Sequence, residues 1–186
     1  MEPHCVILIR HAEKPSADGS SPGLAPSGES DPHELSLEGW QRAGALTCFF
    51  SPWHEGLTRA QAPPPNALFA PRPSELHPSR RGLRTLQPLA ARLGLRVRTP
   101  HAVDEETMLA DRLRTASGVV LVAWEHRALP GLAHALVGHA GCDRPLPTVW
   151  PGDRFDVLWL FMPSEAGWHF WQQPQNLMAG DRLDTF

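Results

Sequence analysis

Long apolar runs, paired cysteines and a dominant charge sign are all missing from this sequence. No stretch approaches the ~18 consecutive apolar residues needed to cross a bilayer. The start, Met-Glu-Pro-His followed by the four aliphatic residues Val6 to Ile9, has neither the basic opening nor the apolar length of a signal peptide. Both absences predict a soluble protein with no membrane partner. Only three cysteines occur, Cys5, Cys48 and Cys142. They are odd in number, far apart and without a Cys-x-x-Cys pair, which predicts free thiols acting as small buried hydrophobes in a reducing compartment, hence the cytoplasm. A formal charge of -3 gives no general attraction to nucleic acid, so any anion site must be local. Histidines are plentiful, but His4, His33, His77, His101 and His134 show no His-x-x-x-His or His-Glu-x-x-His spacing, and neither a metal nor another cofactor is expected. No internal repeat is visible, and the oligomeric state is left open.

What is present describes one domain. Apolar residues at 41% and charged residues at 20% are globular proportions, and a chain of this length buries about 70% of its unfolded surface. Val6-Ile7-Leu8-Ile9 is a β-branched, continuously apolar run, as in a strand buried on both faces. From 15 to 34 the sequence turns to Ser, Gly, Pro and Asp, predicting an exposed, flexible loop. Ser36 is the expected N-cap of a helix carrying Leu37, Trp40, Ala43, Leu46 and Phe50 and ending near Pro52. Ala67–Ala70 reads as a second strand. Ser79 to Leu93 reads as a helix closed by Gly94 and interrupted by Pro88. Leu95–Val97 is a third strand candidate and Asp104–Ala116 a charged helix. Val119–Trp124 is the strongest strand, Leu129–Val137 a helix, Phe155–Phe161 a strand, and Trp168–Trp171 an edge segment beside it. This alternation predicts a layered α/β domain over 1–186 with a mostly parallel sheet.

Arg10-His11 and Glu125-His126 each follow directly on an apolar strand, so a parallel sheet would bring both pairs to one C-terminal edge, where open α/β sheets bind ligands. Arg80-Arg81 adds cations at a helix start, where backbone N–H groups also favour an anion. Arginine suits phosphate because its planar fork makes two parallel hydrogen bonds.

Arg10-His11-Ala12-Glu13 resembles the Arg-His-Gly-Glu nucleophile motif of the histidine phosphatase superfamily, also called phosphoglycerate mutase-like, with alanine in place of glycine. Leu35-Ser36-Leu37-Glu38-Gly39-Trp40-Gln41-Arg42-Ala43 is similar to the helix that follows in that family. Arg81-x-x-x-Thr85 resembles its second arginine motif, and Val122-Ala123-Trp124-Glu125-His126 the strand that delivers its second histidine. The four matches fall in the family's order over most of the chain.

The resemblance implies a three-layer α/β/α sandwich in which His11 attacks phosphorus, Arg10 and Arg81 bind phosphoryl oxygens and His126 completes the pocket. Lys14 is a further candidate for phosphate binding. A leaving alkoxide needs a proton from a carboxylic acid, for which Glu106 is preferred and Glu125 is the alternative. The expected activity is metal-independent phosphomonoester hydrolysis through phosphohistidine, on a small phosphorylated metabolite or a phosphoprotein. A phosphoglycerate mutase-type phosphotransferase and a non-catalytic phosphoryl-binding module are the competing readings.

Overall fold

The computed structural model describes residues 4–52 and 62–186. Cys5–Arg10 forms β1, which is buried along its whole length, because it has neighbours on both edges and packing on both faces. With Ala67–Phe69 (β2), Val97–Arg98 (β3), Val119–Trp124 (β4), Val157–Ser164 (β5) and Gly167–Pro174 (β6) it builds a six-stranded sheet of order β3-β2-β4-β1-β5-β6. The sheet is mixed. β1 through β4 run parallel, β5 lies antiparallel on β1, and β6 antiparallel on β5.

Among the described residues four α-helices accompany it: Leu37–Phe50 (α1), Arg81–Leu93 (α2), Glu106–Arg114 (α3) and Leu129–Val137 (α4). Alternating strand residues supply two separate cores, as a side-chain period of two requires. Ile7, Ile9, Leu121 and Leu160 pack with Leu46, Phe49, Leu86 and Leu89 of α1 and α2. Val6, Leu8, Val122 and Phe161, on the opposite face, pack with Leu109, Leu113, Leu132 and Leu136 of α3 and α4. Among the described residues no helix is long and apolar enough to cross a membrane.

Several element boundaries depart from expectation. The helix expected from Ser79 starts at Arg81 and runs unbroken through Pro88; Leu86, Leu89 and Ala90, all buried, hold the turns on either side of the missing N–H. The strand expected at Leu95–Val97 begins at Val97, since Gly94 adopts a left-handed C-terminal conformation and the Leu95 N–H returns to the Ala90 carbonyl. The helix expected from Asp104 begins at Glu106 because Asp104 sits at φ 79. The strand expected from Phe155 begins at Val157, its Asp156 carboxylate being occupied by Arg154 Nε and the Arg182 N–H. Edge strand β6 extends well beyond Trp168–Trp171. The 15–34 loop is tied internally by backbone bonds from Leu24 to Leu35 and from Asp31 to Gly23. Of the loop expected at 52–65, residues 53–61 lie outside the described residues.

Candidate active site

The pairing of β1 with β4 sets Arg10 opposite Trp124, and one step further the His11 N–H donates to the Trp124 carbonyl at 3.0 Å. His11 and the Glu125-His126 pair therefore leave the sheet side by side. Helix α2 reaches the same edge through Gly82. A Cβ there would stand 2.8 Å from Pro71 Cδ and 2.9 Å from the Ala123 carbonyl oxygen, so only glycine lets the first turn come this close. The result is a cavity of about 280 Å³ lined by Arg10, His11, Lys14, Arg81, Glu125 and His126, with Leu76, His77, Val103 and Arg127 around its rim.

Arg10 is 1% exposed. Its Nη1 donates to the carbonyls of Gly152 at 2.7 Å and Arg154 at 3.2 Å, and its guanidinium stacks 3.6 Å from the centre of the Phe155 ring. Burial lowers its pKa to about 10, against which Glu125 and Glu13 act, and the group stays cationic near neutrality. Its Nε and Nη2 are nevertheless buried without an acceptor, and so is Arg81 Nε. A buried donor left unpaired costs about 1–3 kcal/mol, more when it is charged. The three nitrogens belong to two side chains that line the same cavity.

Neighbouring acids select Arg81 from a run of three arginines. Arg80 pairs with Asp31 at 3.1 Å, and Arg84 makes a two-pronged bond to Glu34 at 2.8 and 2.9 Å. Among the described residues Arg81 has no acidic partner of this kind, and it lines the cavity, its pKa lowered by burial.

His11 is 6% exposed, and its Nδ1 lies 2.7 Å from the Ala12 carbonyl oxygen. A carbonyl can only accept, so Nδ1 carries the proton and Nε2 keeps its lone pair. Burial depresses the imidazole pKa to about 3, with Arg81, Arg10 and His126 pushing the same way and the Ala12 bond opposing them. We expect the His11 ring proton resonances to show no titration between pH 8 and pH 5; an inflection near pH 6.5 in the free protein would contradict this. The depressed value also means that stability falls as pH drops from about 6.5 toward 3, since the unfolded chain binds the proton first.

The two candidate acids occupy different environments. Glu106 does not line the cavity: its Oε1 accepts the Trp124 indole N–H at 2.8 Å and the Asp104 N–H at 3.1 Å, so it anchors α3 to the end of β4. Glu125 does line the cavity. Its Oε2 accepts the N–H groups of Arg127 and Ala128 at the start of α4, and its Oε1 lies 2.7 Å from His126 Nδ1 without the alignment of a hydrogen bond. Burial and the nearby Arg10 lower the His126 pKa, with Glu125 opposing. Lys14 is exposed at the cavity wall.

A buried scaffold underlies these groups. The Thr85 hydroxyl donates to the Arg81 carbonyl at 2.7 Å and accepts the Ala12 N–H at 2.8 Å, coupling the arginine's helix to the histidine's loop. Thr85→Val, nearly identical in volume, should cost about 1–3 kcal/mol in urea denaturation by orphaning that N–H, and Thr85→Ser should recover most of it. Equal stability of the valine variant would remove Thr85 from this role. Glu13 accepts from Arg42 Nε at 2.8 Å, and Arg42 in turn clasps Asp181 at 2.7 Å. A Cβ on Gly39 would stand 2.4 Å from the Glu13 carbonyl oxygen, which explains the glycine in the first turn of α1. Ser36 caps that helix, accepting the Gly39 N–H. The methyl of Ala12 packs with Leu35, Ala43 and Trp40 beneath the loop, so alanine is accommodated where the resembling motif has glycine.

Sequence reasoning did not place Leu76, His77, Val103 and Arg127 at the site, since they lie between the regular elements, and it read the stacking partner Phe155 only as the start of a strand. Among the described residues no group of three or more His, Cys, Asp or Glu side chains is arranged to hold a metal ion. Compared with known protein families and with curated proteins, the chain matches none.

Proposed function

We propose that this protein is a phosphomonoester hydrolase that works through a phosphohistidine on His11. The observation that carries the reading is the set of three unpaired, buried guanidinium nitrogens on Arg10 and Arg81 around a buried histidine whose Nδ1 is committed to a carbonyl. A phosphoryl group supplies the oxygens those donors lack and places phosphorus before Nε2. The resemblance of Arg10-His11-Ala12-Glu13 to the histidine phosphatase motif points the same way, and with it a three-layer, phosphoglycerate mutase-like arrangement with a mostly parallel sheet.

In the first step His11 Nε2 forms a bond to phosphorus as the ester P–O bond breaks. The electron pair leaves with the alcohol oxygen, which takes a proton from the carboxylic acid of Glu125. In the second, water adds to phosphorus, its proton goes to the Glu125 carboxylate, and the N–P electron pair returns to Nε2. Arg10, Arg81 and His126 hold the equatorial oxygens, where the negative charge of the transition state is spread. Lys14 adds a fixed positive charge at the wall. Glu125 replaces Glu106 as the preferred acid because only Glu125 lines the cavity. The substrate is a small or protein-borne phosphate ester, and the setting is the cytoplasm.

The reading is tested by quenching the protein during turnover of an aryl phosphate and mapping the label. Acid-labile, base-stable phosphate on His11 is expected, and its absence during measurable turnover would overturn the covalent route.

A further inference from the structure

We propose that the leaving-group side of this cavity selects phosphate esters of apolar, ring-bearing alcohols, with Leu76 and Val103 as the residues that grip the ring. The chemistry of the proposal rests on the phosphatase reading; its binding component does not. Leu76 is 84% exposed, the most exposed of the large hydrophobic side chains among the described residues, and of those it alone lines the cavity that holds His11. A single exposed leucine is ordinary on a protein surface. Two features separate this one from the ordinary case.

The first is that its position is fixed. The Ser74 N–H donates to the His77 carbonyl at 3.0 Å and the His77 N–H to the Ser74 hydroxyl at 3.1 Å, closing a turn with Leu76 at its crest. That turn is stitched to the loop bearing Val103. The Arg72 N–H donates to the His101 carbonyl at 2.7 Å, and His77 Nε2 lies 2.9 Å from Asp104 Oδ2. Asp104 itself sits in the left-handed region at φ 79, which aspartate adopts more readily than most L-residues. The rim thus presents two apolar side chains from two loops tied into one unit.

The second feature is what the wall lacks. Leu76 and Val103 stand with Pro71 and Pro78, which have no N–H to offer, in a lining whose polar members away from the charged floor are His33, His77, Ser79 and Arg127. Where it lay against Leu76, Val103, Pro71 and Pro78, a polyhydroxylated alcohol would lose hydrogen bonds to water without replacement. A ring would gain by leaving water, at about 25 cal/mol per Å² of apolar surface covered. The charged floor takes the phosphoryl group and the apolar wall takes what is attached to it.

The test uses two non-hydrolysable probes, naphthylmethylphosphonate and methylphosphonate, titrated calorimetrically into the wild-type protein, Leu76→Ser and Leu183→Ser. The last alters another exposed leucine, outside the cavity. The ring-bearing probe should bind about tenfold or more tighter than the methyl probe to wild type and to Leu183→Ser, and Leu76→Ser should remove most of that preference. Equal affinity for both probes, or a preference that survives Leu76→Ser, overturns the proposal. Hydrolysis of naphthylmethyl phosphate against glycerol phosphate, two alkyl esters, separates the two readings. Preference for the glycerol ester with phosphohistidine formed would sink the apolar wall and leave the phosphatase standing. Ring-selective phosphonate binding with neither turnover nor phosphohistidine would do the reverse.

Discussion

Replacing His11 with alanine should lower kcat for a nitrophenyl phosphate by about 10⁴-fold or more, the scale of loss when a covalent nucleophile is removed. KM should change far less, because the unpaired donors of Arg10 and Arg81, proposed to take the phosphoryl oxygens, remain in place. A mutation that depresses kcat while sparing KM removes an interaction made during the chemical step rather than on binding. The fold should survive, since the substitution deletes a buried imidazole whose one hydrogen bond among the described residues is to the adjacent carbonyl, and unchanged circular dichroism would verify this. Residual turnover within about tenfold of wild type would mean that water is activated directly. His126 would then be the leading candidate for the base.

The contrast between the two arginines shows how far the sequence carries this site. Arg10 was legible from its own segment: a four-residue apolar run must be a buried strand, and a charged residue at its end must have a reason to be there. The pairing of β1 with β4, also visible as two continuous apolar runs, brings His11 beside Glu125. Arg81 was legible only as one of three arginines, because what distinguishes it is the loss of its neighbours to Asp31 and Glu34, acids almost fifty residues away in the chain. Local spacing carries no information about such pairs.

The same limit explains the acid. Glu106 stands in a charged segment where the resembling family places its proton donor, and nothing in the local sequence reveals that Trp124 Nε1 claims its carboxylate. The rim was hidden for a related reason. Its order comes from side-chain and backbone bonds between the loops around residues 71–78 and 101–105, and those loops have neither a hydrophobic period nor a turn signature that fixes their geometry. What periodicity encodes is the frame, and what it omits is every contact made between loops.

Glu125→Gln is expected to divide substrates by leaving group. Proton donation contributes about 10²–10⁴-fold to a step that needs it, so hydrolysis of an alkyl phosphate, whose alkoxide is strongly basic, should slow by that order. A nitrophenolate departs without a proton, and its ester should lose no more than about tenfold, the remainder coming from slower activation of water in the second step. The amide is a fair replacement. Its oxygen can still accept the Arg127 and Ala128 N–H groups that fix this side chain to α4, so the site geometry and the helix start are retained. The reciprocal variant, Glu106→Gln, keeps an acceptor for the Trp124 indole and lies outside the cavity, and it should show no dependence on leaving group. If the dependence instead followed Glu106→Gln, the proton would come from α3, and the loop between Ala102 and Glu106 would have to swing its carboxylate off Trp124 in each catalytic cycle.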